Sequence, residues 1–173
     1  MKFPKSLIFG AALALGATPL AAQQVSTNVV ASETAWSVFE ETQGCWAVAT
    51  AKESVNKRDG KVVAVRRGDI LLYVTYVPAQ KVSGQVSFTG GYPFKENSTI
   101  TVDVDGTKFD FFVQGEWAWT KSAEDDAKVI AAMKRGSNAV VSAESSRGTK
   151  TSDTFSLLGF TAATEEAAKR CSG

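Results

Sequence analysis

From Trp36 onward the chain runs in short stretches where apolar and polar residues alternate, separated by turn residues. The stretches 36–41, 46–55, 61–67, 70–77, 85–89, 99–104, 107–113, 139–144 and 151–156 are rich in Val, Thr and aromatic residues and predict β-strands. Asp59-Gly60, Gly90-Gly91, Asp105-Gly106 and Gly148 punctuate them as turns. A two-residue loop at Asp105-Gly106 fixes a register. It pairs Val104 with Thr107, Val102 with Phe109 and Ile100 with Phe111 on an apolar face, and Asp103 with Lys108 and Thr101 with Asp110 on a polar one. The Asp59-Gly60 turn gives no such register, which predicts a bulge or longer loop there.

Two segments change period. Ser122 stands as an N-cap with Asp125 three residues on, Glu124, Asp125 and Asp126 fill the first turn, and Gly136 closes the segment. Val129, Ala132 and Met133 give this helix a narrow apolar stripe to lay on the sheet. A second short helix is predicted over 162–170. The fold class is therefore mainly β and antiparallel, with one helix between strands and a short C-terminal helix.

The amino-terminal pattern is different. Lys2 and Lys5 precede an uncharged apolar run over 7–17, then Pro19 and the small residues Ala21 and Ala22, which is the order of a secretory signal peptide over 1–22. The apolar run is too short for a membrane anchor. Residues 23–34 are polar and Ser/Thr-rich and predict a flexible arm, leaving 35–173 as a single domain. No later apolar run is long enough to cross a bilayer as a helix, and most predicted strands fall short of the roughly 9–11 residues of a spanning barrel strand.

Composition narrows the chemistry. With 19 Lys plus Arg against 18 Asp plus Glu, the chain has no electrostatic basis for broad nucleic-acid binding. Loss of residues 1–22 would remove two lysines and turn the net charge from +1 to −1. The absence of histidine excludes Ser-His-Asp and Cys-His catalysis and histidine metal ligation. The stretch Asp103-Val104-Asp105-Gly106-Thr107 matches the DxDGT nucleophile motif of haloacid-dehalogenase-like phosphatases. That chemistry needs a buried parallel strand feeding βαβ units, whereas this strand alternates and turns straight back. No catalytic residue, cofactor or metal site is therefore expected.

Other features each carry two readings. Cys45 and Cys171, an isolated pair in an exported chain, predict a disulfide, with two independent thiols as the alternative. Trp117 and Trp119 share one face of a strand, as core or, if exposed, as a stacking platform together with Tyr92. Lys57, Arg58, Lys61, Arg66 and Arg67 form the main basic concentration, with a solvated face as the default. Arg67-Gly68-Asp69 is placed between strand-like runs as a tight turn rather than an integrin-type loop tip.

Trp36 ahead of Cys45, the run Gly90-Gly91-Tyr92-Pro93-Phe94, the stretch from Thr154-Phe155-Ser156-Leu157-Leu158-Gly159-Phe160 to Ala163, and a terminal helix bearing Cys171 together resemble the invasion-associated locus B family of Gram-negative alphaproteobacteria. The resemblance covers essentially the whole chain after the signal segment. It implies an immunoglobulin-like antiparallel β-sandwich, exported to the periplasm or outer membrane, without known catalysis, with Cys45 and Cys171 joined. In a pathogen member of that family the role is linked to invasion of host red cells. The expected partner is a protein or cell-surface component, with a carbohydrate- or peptidoglycan-associated module as the alternative.

Overall fold

The computed structural model describes residues 28–171. The predicted signal segment and residues 23–27 lie outside that range. Twelve strands are described: β1 (Val29–Glu33), β2 (Trp36–Glu41), β3 (Gly44–Thr50), β4 (Glu53–Arg58), β5 (Lys61–Val62), β6 (Leu71–Val77), β7 (Val82–Thr89), β8 (Thr99–Val104), β9 (Thr107–Gln114), β10 (Trp117–Trp119), β11 (Asn138–Glu144) and β12 (Lys150–Ser156). The helices are α1 (Ala123–Met133) and α2 (Phe160–Arg170). Hydrogen bonding runs unbroken in the order β1-β2-β3-β6-β7-β10-β9-β8-β11-β12-β4-β5, and every pairing is antiparallel.

The ribbon does not lie flat. β7 and β12 are five positions apart in the sheet order, about 24 Å along a flat sheet. Yet the Phe88 and Phe155 rings they carry meet edge to face at 6.1 Å. The ribbon folds over into a sandwich-like pair of layers around one core, with Val38, Leu72, Val74, Val86 and Phe88 facing Ile100, Val102, Phe111, Val141 and Phe155. The chain itself makes the corner. It leaves β3 at Thr50 and enters β4 at Glu53, with Ala51 N–H donating to Ile70 O (3.1 Å) and Lys52 N–H to Thr154 O (2.8 Å).

The Asp105-Gly106 hairpin has the predicted register, from Val104 opposite Thr107 to Ile100 opposite Phe111. Asp105 and Gly106 both take positive φ (45° and 98°), as a two-residue hairpin loop requires. α1 also forms as predicted: Ser122 Oγ accepts from Asp125 N–H (3.1 Å), and Val129 and Met133 are buried, with the helix packed on β7.

Several expectations change. In place of the bulge or longer loop expected at Asp59-Gly60, Arg58 pairs directly with Lys61, and Asp59 and Gly60 form a tight hairpin loop, both at positive φ. Val29–Glu33, expected within a flexible arm, is an edge strand paired with β2 and covered by α2, because Val30 and Ala31 pack against the core and the backbone finds partners on β2. The predicted strand 46–55 is two strands on opposite sides of the corner. The predicted strand 61–67 is cut to Lys61–Val62, since the chain must then cross back to β6.

α2 begins two residues earlier than predicted, at Phe160, whose ring meets Trp36 edge-on at 4.9 Å. Trp36 Nε1 donates to Ser156 O (3.0 Å), so a large buried ring keeps its polar atom satisfied. Cys45 and Cys171 are bonded, with Cα atoms 5.9 Å apart, and tie the end of α2 to β3. The thiol alternative is thereby removed.

Candidate functional site

The sheet's outer face is more apolar than a solvated face should be. Along β2, β3 and β6 both faces carry apolar side chains. Val38, Ala47, Leu72 and Val74 point to the core, while Phe39, Trp46, Val48, Leu71 and Tyr73 point outward. The register continues this outer face. Tyr73 lies opposite Ser87, Ser87 opposite Trp119 and Trp119 opposite Phe112; one row further, Leu71 lies opposite Thr89 and Thr89 opposite Trp117.

The rings on this face form a ladder. Trp117 and Trp119 stack at 6.2 Å with 22° between their planes, Phe112 meets Trp119 at 5.8 Å and 33°, and Tyr73 meets Trp117 at 5.4 Å. They roof over β7, so Ser87 and Thr89 are buried although they point away from the core. The roof itself remains open to solvent: Phe112 is 41% exposed and Trp117 38%. Burial, with a smaller contribution from Asp69, holds the Tyr73 phenol above its usual range, so it stays a neutral hydroxyl. Beside the ladder a groove of about 430 Å³ runs over Phe39, Trp46, Val48, Leu71 and Tyr73, with Glu41 and Asp69 also on its wall.

The two tryptophans therefore belong to the outer face and not to the core, where large aromatics more often sit. Tyr92 has a different environment. Its ring packs edge-on against Phe94 (5.1 Å), lies under the Arg67 guanidinium (4.8 Å), and its hydroxyl shares a hydrogen bond with Thr151 Oγ1 (2.5 Å). Burial raises its pKa, opposed by the Thr151 bond and Arg67. No ring contact joins it to the ladder among the described residues. Sequence reasoning missed Phe39, Trp46, Tyr73 and Phe112. The available signal was the near-continuous apolar run of β3 and β6, where a sheet face open to water would alternate.

The basic concentration is not wholly a solvated face. Arg67 is buried against Asp153 in a two-pronged ion pair (Nη1 to Oδ1 2.8 Å, Nη2 to Oδ2 2.6 Å), and its Nε donates to Gly90 O (2.8 Å). Nη1 also donates to Ser54 Oγ and Asn56 Oδ1, so this guanidinium holds β4, β12 and the 90–94 turn together. The acids of the DxDGT stretch are structural as well. Asp103 accepts from Gly106 N–H (2.7 Å), and Asp105 accepts from Ser137 N–H (2.6 Å) and Asn138 N–H (3.3 Å) at the start of β11. Among the described residues no group of three or more acidic or cysteine side chains is placed to hold a metal ion. No helix among them is long and apolar enough to cross a membrane.

A disulfide-closed, all-antiparallel β-ribbon with two helices and an aromatic outer face defines a mainly-β, sandwich-like class without a helical membrane anchor among the described residues. The sequence model of the Invasion associated locus B (IalB) protein family matches residues 32–168, and the chain belongs to that family. The fold is similar to the crystal structure of invasion associated protein B from Bartonella henselae, at a TM-score of 0.55 and 14% identity over 81% of this chain and 96% of that one. No curated protein matches the sequence.

Proposed function

We propose that this chain is an exported, non-enzymatic protein of the cell envelope, periplasmic or associated with the outer membrane, and that its aromatic outer face binds a protein partner. Export is supported by the signal-like residues 1–22 and by a disulfide that fits an oxidising compartment. The observation that carries the binding reading is the ladder of Trp117, Trp119, Phe112 and Tyr73, left open on a sheet face that a self-sufficient fold would make polar. Tryptophan and tyrosine are the residues that dominate protein interfaces, and the polar Ser37, Glu41, Asp69 and Gln114 around the rings supply a rim.

Ring geometry favours a protein over a sugar. Stacking on a sugar needs a ring face laid open, whereas Trp119 has Trp117 on one side and Phe112 on another. A photo-crosslinking residue at position 117 is expected to give a discrete adduct with one envelope protein in intact cells, absent when the same residue stands at Ser142 on β11. Identical products from both positions, or none from 117, overturn the reading. Titration with peptidoglycan fragments and neutral glycans is expected to leave tryptophan fluorescence unchanged; a saturable shift would transfer the ladder to the carbohydrate reading.

A further inference from the structure

A separate cleft of about 310 Å³ opens where β4, the 63–70 segment and the β11–β12 turn meet. Besides the buried Arg67, three arginines line it from three different segments: Arg58 from β4, Arg66 from the crossing to β6, and Arg147 from the turn after β11. Arg58 is oriented by a hydrogen bond to Thr149 Oγ1 (2.6 Å). Arg66 and Arg147 have no ion-pair partner among the described residues. One acid, Glu116, lines the same cleft. Asp153 does not offset these arginines, because Arg67 already neutralises it in a buried pair.

Gathering like charges costs free energy that a folded chain ordinarily avoids by interspersing acids. With Arg67 paired to Asp153, the other three arginines against Glu116 leave an excess of two positive charges at one opening. The Ser145 hydroxyl, which accepts from Thr149 N–H (3.1 Å), keeps its own proton to donate at the cleft wall. Donors carried by three separate segments suit a tetrahedral group better than a planar carboxylate, and the excess charge matches a dianion.

We propose that this cleft binds a phosphomonoester, held by Arg58, Arg66 and Arg147 through its phosphoryl oxygens. The volume beyond the phosphoryl group accommodates the carrier, a sugar or the glycerol of a lipid. The site is independent of the aromatic ladder and stands or falls apart from it.

Calorimetric titration of the disulfide-bonded chain tests this with glucose 6-phosphate and, separately, with vesicles containing phosphatidic acid in a neutral lipid. Saturable binding of either probe, weakening steeply with added salt, is the expected result, and the probe that binds tells the soluble source from the lipid one. Arg66→Gln/Arg147→Gln is expected to weaken binding at least tenfold, and Glu116→Gln to tighten it. All three positions are exposed, and near-UV circular dichroism checks that each variant is folded. Absence of saturable binding by both probes overturns the proposal. So does undiminished binding in the double arginine variant, or equal binding of succinate.

Discussion

Asp126 sits in the first turn of α1 with its carboxylate turned into the protein. Its Oδ1 accepts from Val86 N–H (2.8 Å) and from Thr120 Oγ1 (2.7 Å), pinning the helix to β7 and to the end of β10. Burial nevertheless holds its pKa above the usual carboxylate value, outweighing those two bonds. The folded chain therefore favours the protonated acid more than the unfolded chain does. That contribution is full in acid and is lost as pH rises through the raised pKa. Asp126→Asn keeps Oδ1 as an acceptor and removes the charge. Urea unfolding is expected to find it at least as stable as the parent at neutral pH, with the gap closing in acid. Asp126→Ala leaves Val86 N–H without its partner and is expected to cost about 1–3 kcal/mol. Sequence placed Asp126 correctly in the first turn but assigned it only to the helix dipole. Its partner on β7 lies 40 residues away and leaves no local trace. The same holds for Arg67, whose partner Asp153 is 86 residues distant and which is indistinguishable in sequence from its solvated neighbours.

At the scale of elements, legibility follows the range of the interactions that define each one. The Asp105-Gly106 hairpin and the capped start of α1 are fixed within a few residues, and both form where the pattern placed them. β1 was not legible, because its strand character comes from β2 beside it and α2 over it. The join between β1 and α2 turns on Gly159. It holds φ +88°, and a Cβ placed there would stand 1.8 Å from Glu33 O. Gly159→Ala must therefore strain the backbone and push the end of β1 away, at a cost of at least about 1 kcal/mol from the left-handed conformation alone. Hydrogen exchange is expected to show the β1 and early α2 amides losing protection, while those of the β8–β9 hairpin keep theirs. Exchange loosened evenly across the sheet would count against this account.

For the whole molecule, the mainly antiparallel class was legible from period-two patterning, but the folding-over of the ribbon was not. Nothing in the run 46–55 marks the corner at Ala51-Lys52 that sends β3 and β4 to different layers. Nor did the pattern separate Tyr92 from Trp117 and Trp119, since which sheet face an aromatic occupies depends on the strands beside it. The disulfide spans this architecture, joining residues 126 apart. In the chain-entropy model a loop of that size is worth roughly 5 kcal/mol. Cys171→Ser paired with Cys45→Ala is expected to lower the denaturation midpoint accordingly, and first to release α2, seen as loss of the Trp36 environment in fluorescence.

The position of that bond also imposes an order in time. Every strand from β4 to β12 lies within the loop it closes. Cys45 emerges early in synthesis, yet its partner arrives only after α2 has been made and carried back over β3. Until then Cys45 is a thiol in waiting. A chain cut short, or one whose helix has docked elsewhere, keeps that thiol, and alkylation in denaturant would separate it from its finished siblings. The bond is thus a covalent record that the last helix has found its place.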